Sequence, residues 1–149
     1  IMITKKKFIL FFLVYFFIFP YELTYAAGAL PRSLSNNNSE VFIISPLDGE
    51  VVSNPVHIIF GVKNMTVSPA GIKKKLSGHH HLLIDVKTLP DLTKPIPSDK
   101  NHIHFGKGQK STIINLESGA HTLQLLFADY LHIPHDKPLI SKNITIMVE

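Results

Sequence analysis

Leu116-Glu117-Ser118-Gly119-Ala120-His121-Thr122-Leu123-Gln124-Leu125-Leu126-Phe127 carries the backbone pattern that decides the fold. Leu123, Leu125 and Phe127 fall on every second position, the period of a strand with one face buried. Gly119 supplies the turn that precedes it. The same period recurs on either side. Val56, Ile58, Phe60 and Val62 share one face of 55–62, and Ile144, Ile146 and Val148 share one face of 140–148. Shorter apolar runs at 41–45, 81–86, 101–105 and 111–116 are separated by turn residues such as Pro46-Leu47-Asp48-Gly49 and Gly106-Lys107-Gly108. Seven strand candidates without an amphipathic helix predict an all-β domain, two sheets packed as a sandwich.

The first part of the stretch narrows this further. A leucine, a turn glycine and then an aromatic residue at the tyrosine position resemble the entry to the sixth strand of immunoglobulin-like sandwiches. His121 stands at the tyrosine position here. The likeness implies an immunoglobulin-like sandwich of about seven strands over 41–149. It also gives His121 a structural task, packing inward and hydrogen-bonding the turn.

Upstream of the domain the chain reads as an address. Lys5, Lys6 and Lys7 precede an unbroken apolar run at 8–19, Pro20 breaks it, and Thr24-Tyr25-Ala26 offers small residues at the −3 and −1 positions of a cleavage site. Residues 1–26 are therefore expected to be a secretory signal peptide, and the chain a periplasmic or secreted protein with no stable membrane anchor after cleavage. Residues 27–40, rich in Ser and Asn, read as a flexible leader. The whole chain carries a net charge of +4, and the signal accounts for half of it. Lys73-Lys74-Lys75 is the only basic cluster of the remainder and no aromatic residue interleaves with it, which argues against a nucleic-acid partner. The chain has no cysteine, so thiolate metal sites, a thiol nucleophile and a lipid-modified N-terminal cysteine are excluded.

Seven of the nine histidines lie in three short clusters: His79-His80-His81, His102-Ile103-His104 and His132-Ile133-Pro134-His135. Imidazole is the commonest protein ligand for zinc and copper. With neighbouring strands running up and down, all three clusters project to one end of the sandwich, whereas His57 and His121 fall at the other. Parity puts His79 and His81 on the outward face of their strand. His80 goes to the core face with Leu82 and Ile84, as a buried, hydrogen-bonded group or one that supports the ligands. The expected metal ligands are His79, His81, His102, His104, His132 and His135, for a copper or zinc ion. Ile133-Pro134 is expected to stiffen the spacing of its two histidines, and Met65 is a soft candidate for copper(I). The plain alternative is that outward histidines on a strand are solvated surface, and a His-x-His pair lacks the specificity of a zinc-finger signature.

Five stretches carry a wider likeness: Ile44-Ser45-Pro46-Leu47-Asp48-Gly49, Gly78-His79-His80-His81-Leu82-Leu83-Ile84-Asp85, His102-Ile103-His104-Phe105-Gly106-Lys107-Gly108-Gln109, Gly119-Ala120-His121-Thr122-Leu123-Gln124-Leu125-Leu126 and His132-Ile133-Pro134-His135. In this order they resemble the bacterial exported family named domain of unknown function 4399. The likeness runs from 41 to about 148. It implies a single exported domain, and it carries over no activity and no catalytic residue.

Three functions follow as expectations. The first is an exported metal buffer or chaperone, which could hand its ion to another periplasmic protein. Its affinity would be lost below about pH 6 as the imidazoles protonate. The second is a non-enzymatic module that binds a glycan, a cell-wall polymer or a protein through its loops. The absence of Trp weakens its sugar-stacking form. The third is an enzyme in which a histidine and Asp85, Asp129 or Asp136 activate a water. The chain shows no serine nucleophile elbow, metalloprotease helix motif or phosphate loop, so an enzyme is the least supported of the three.

Overall fold

The computed structural model describes residue 28 and residues 30–149. The segment read as a signal peptide lies outside the described residues. Ten strands follow in order: β1 (Glu40–Ser45), β2 (Val51–Val52), β3 (Val56–Lys63), β4 (Thr66–Val67), β5 (Ser77–Ile84), β6 (His102–His104), β7 (Ser111–Ile114), β8 (Gly119–Ala128), β9 (Pro134–Ile140) and β10 (Ile144–Val148). There is no helix among the described residues.

The strands form two sheets. One has the order β1-β3-β7. The other has the order β2-β10-β8-β5-β4, with β6 also paired to β5 and β9 to β8. Three strands facing the spine β10-β8-β5 reproduce the A-B-E against G-F-C arrangement of immunoglobulin-like sandwiches. Val41, Val56, Ile58 and Phe60 from the first sheet meet Leu82, Ile84, Leu123, Leu125, Phe127, Ile146 and Val148 from the second. These are the alternating residues of the sequence, so the period-two pattern is the interface between the sheets.

β8 is the long central strand. Gly119–Leu123 pairs with β10, and Leu123–Ala128 pairs with β5, so that His79 lies opposite Ala128 and His81 opposite Leu126. β5 comes this close to the end of β8 because Gly78 has no side chain. A Cβ there would stand 2.3 Å from the Ala128 carbonyl oxygen.

The strand read as 81–86 in fact spans Ser77–Ile84, and every one of its residues is buried. Its outward face is not a surface. Segment 85–101 folds back across it, and Leu83, Leu126, Ala128 and Ile96 form a second apolar cluster there, with Val86, Leu92 and Ile140 packed against it. A strand covered on both faces is what places histidines in a dry layer.

Candidate metal centre

Four histidine rings converge on the covered face of β5. His79 and His81 come from β5 itself, His104 from β6 and His132 from the turn after β8. Register explains the first three. β6 pairs antiparallel with β5 so that His104 lies opposite His81, and His79 is two residues from His81 on the same face. His132 arrives because the chain turns sharply at 129–133. It adopts a φ of 65°, a left-handed conformation uncommon outside glycine. Ile96 N–H donates to its carbonyl at 2.9 Å and ties the turn to the covering segment.

The rings touch pairwise. The His79–His81, His79–His104 and His79–His132 centroids are 4.8, 4.9 and 5.0 Å apart, and His104–His132 is 4.6 Å. One ring nitrogen of each residue lies within 4.8 Å of one nitrogen of every other. Zinc–imidazole bonds of about 2.0–2.1 Å in a tetrahedron put nitrogens about 3.4 Å apart, so the group would close by about 1 Å around an ion. His79 Nε2 and His132 Nδ1 share a hydrogen bond of 3.1 Å. Buried His79 Nδ1, His81 Nδ1 and His104 Nε2 have no partner, an arrangement that native interiors avoid. Gly106 makes room for the group, since a Cβ on it would lie 2.2 Å from Cε1 of His104.

Electrostatics favours the neutral form of His79, His81 and His104, the form that binds metal. Burial first, then repulsion from the neighbouring imidazoles, lowers His79 to about 3 and His81 to about 2. The same two causes lower His104. No carboxylate belongs to the group. This moves the expected acid limit of the site well below pH 6.

Six histidines were expected in the site, and the structure brings together four of them. His102 shares a strand with His104, yet it stands opposite Leu83, one step farther from the group, and Nδ1 donates to Asp99 at 2.9 Å. His135 turns the other way. As the second residue of β9 it stacks on Phe127, centroids 5.9 Å apart, and its Nε2 donates to the Ser77 carbonyl at 3.0 Å. Ile133-Pro134 therefore separates its two histidines and does not space them for one ion. His80 is buried as expected, between Phe60 and Phe127, but neither ring nitrogen has a hydrogen-bond partner. Burial, then the Lys110 charge, lowers it to about 4. Met65 lines a cleft of about 450 Å³ beside His80, on the face of β5 opposite the four-histidine group.

His121 lies far from the group, at the start of β8. Its Nε2 donates to the Glu117 carbonyl at 2.9 Å, the turn contact expected of it, and Nδ1 donates to Asp85 at 2.8 Å. The three aspartates considered for water activation are engaged elsewhere. Asp85 binds His121, Asp136 accepts from Ser35, and both Asp129 oxygens are occupied within the 129–133 turn and by Ser33.

A family model described as Domain of unknown function (DUF4399) matches residues 58–149. The chain belongs to that family. The DUF4399 match opens inside β3 and contains all four converging histidines, whereas β1 and β2 precede it. No curated protein and no solved structure matches the DUF4399 chain.

Asp129, read in the sequence only as a candidate to activate water, has a structural part in the turn that the sequence shows poorly. Its carboxylate organises the turn that carries His132, and the only sequence signal is an aspartate that opens a turn, a common pattern.

Proposed function

We propose that the chain is an exported metal-binding protein, a copper or zinc buffer or chaperone, which holds its ion on His79, His81, His104 and His132. One observation carries this reading: four imidazoles from three separate elements meet in a covered layer with unpartnered ring nitrogens. A folded chain rarely leaves such groups without a partner, and an ion would satisfy them together. The basic and apolar start of the chain supports export. Burial of two of the four rings favours retention, while the half-buried His104 and His132 leave a route for exchange.

The test is metal binding by the untagged full chain. Elemental analysis of the purified protein comes first, followed by titration of the apo form with copper and zinc at pH 7.5 and 5.5. One ion per chain with micromolar or tighter affinity is expected. The affinity at pH 5.5 should stay close to that at pH 7.5, given the lowered His79, His81 and His104. Binding no tighter than that of a variant with all four replaced by alanine would end this reading.

A second reading, a non-enzymatic binding module for a glycan, a cell-wall polymer or a protein, draws on the cleft lined by Phe42, Phe60, Met65, Val67, His80 and Lys110. Its check is NMR titration of the labelled full chain with soluble cell-wall fragments. Saturable shifts confined to these residues would favour it, and flat spectra would remove that class of ligand.

A further inference from the structure

The segment 32–37, outside the strands, lies along β9 and is bonded almost wholly to 129–137. Arg32 donates from Nε to the Pro134 carbonyl at 3.2 Å and from Nη2 to the His135 carbonyl. Asp136 N–H donates to the Ser33 carbonyl at 3.0 Å. Ser35 donates from its backbone to Asp136 Oδ1 at 2.9 Å and from its hydroxyl to the Lys137 carbonyl at 3.1 Å. Lys137 Nζ donates to Asn37 Oδ1.

One contact reaches the turn itself. Ser33 Oγ donates to Asp129 Oδ2 at 2.6 Å. Asp129 is 1% exposed, and its other oxygen accepts the N–H groups of Leu131 at 2.9 Å and Ile133 at 3.1 Å. The Asp129 carbonyl accepts the His132 N–H at 2.9 Å, and Asp129 N–H donates to the Ile133 carbonyl at 3.0 Å. A buried carboxylate thus has every oxygen satisfied only while Ser33 is in place. A non-glycine residue held at positive φ persists only where its surroundings over-determine it, and at His132 the Asp129 turn does this together with the Ile96 N–H on its carbonyl and the His79 ring.

We propose that segment 32–37 is a strap, and that the Ser33–Asp129 hydrogen bond positions His132 for the ion. Ser33 and Asp129 are positioning residues and do not touch the metal. The proposal rests on the four-histidine reading for its purpose, but the positioning of His132 can be measured without any metal. A strap at the N-terminal edge of the domain also gives a means of release: whatever pulls 32–37 away loosens one of four ligands and leaves the two on β5 in place.

The test uses Ser33→Ala in the full chain, since this change removes one hydroxyl from a half-buried position outside the sheets. In the apo protein, the ring signals of His132 and its partner His79 should shift or broaden by NMR, while those of His57 stay put. In the metal-loaded protein, copper(II) affinity should fall by about tenfold, as for other groups that support a ligand. The copper EPR spectrum should show one coordinated imidazole fewer. Asp129→Asn, which keeps an oxygen for Leu131 and Ile133, should fall between wild type and Ser33→Ala in both readouts. Unchanged His132 ring signals in Ser33→Ala overturn the strap, whether or not metal binds. Shifted signals in a protein that binds no copper would sustain the strap and sink the metal reading alone.

Discussion

The two ends of β8 hold histidines in opposite conditions. At its start, His121 has a carboxylate on one ring nitrogen and a carbonyl on the other. Both partners only accept, so the ring is fully satisfied when it carries two protons. Its pKa is raised, chiefly by the Asp85 hydrogen bond. At the other end, roughly 23 Å away at strand spacing, His79 and His81 have no carboxylate in their group, are buried, and are lowered to about 3 and 2. The same side chain is pushed toward its protonated form at one end, where it ties a corner, and toward its neutral form at the other. Neighbours decide which, and a count of histidines does not.

Acid should break this comparison most visibly. His79, His80 and His81 sit near 3, 4 and 2 in the folded protein, against an ordinary value of 6.5. Below pH 6.5 the unfolded chain binds protons that the folded chain refuses, so stability falls with pH until those lower values are reached. Each proton costs about 1.4 kcal/mol per pH unit, and the three together should unfold a domain of ordinary stability within about two to three units. His121 has the opposite sign: its contribution is complete below its unfolded pKa and fades as pH rises through the raised folded value. Circular dichroism of the metal-free chain from pH 8 to pH 4 should show a steep loss. Replacing His80 with leucine should shallow that loss and His121→Ala should not. A flat profile would mean that these rings are not buried neutral.

The next largest effect is on metal affinity. His79→Ala should weaken binding more than about 100-fold, beyond the range of residues that merely support a ligand. His121→Ala should leave it unchanged while costing about 1 kcal/mol of stability from its lost corner hydrogen bonds. Competition titrations on the two variants would check this, and equal losses would erase the distinction between the ends. Gly106→Ala should be milder. The added methyl must displace the His104 ring, and affinity should drop about tenfold with little change in melting temperature. His102→Ala should do least: wild-type affinity, and a stability change of about 1 kcal/mol for the lost hydrogen bond to Asp99.

Much of the fold was legible because its core is built from alternation. Val56, Ile58 and Phe60, then Leu123, Leu125 and Phe127, are read in the sequence with the same parity that they show in the core. Three strands were not legible. β2 and β4 have two residues each, too few for a period, and β9 contains Pro134, Asp136, Lys137 and Pro138, which read as a loop. β9 exists because β8 offers it an edge, with Leu126 opposite Ile140 and Phe127 opposite Leu139. Convergence of the clusters was legible from topology, and the face of each β5 histidine from parity. Reach was not. Two strand positions lie about 7 Å apart, which is the difference between His104 in the group and His102 beside Asp99. Nor does parity reveal a lid: 85–101 has no regular period, yet Ile96 seals the layer.

The lowered basicity of three clustered imidazoles bears on the charge of the whole molecule. His79, His81 and His104, held toward the neutral form, have no proton to release to an arriving ion, and the group contains no acid to cancel a divalent charge. Loading would then add most of the charge of a divalent ion, raising by about two a net charge that is +4 with the expected signal segment and half of that without it. Filled and empty molecules of one shape would migrate apart in a native gel.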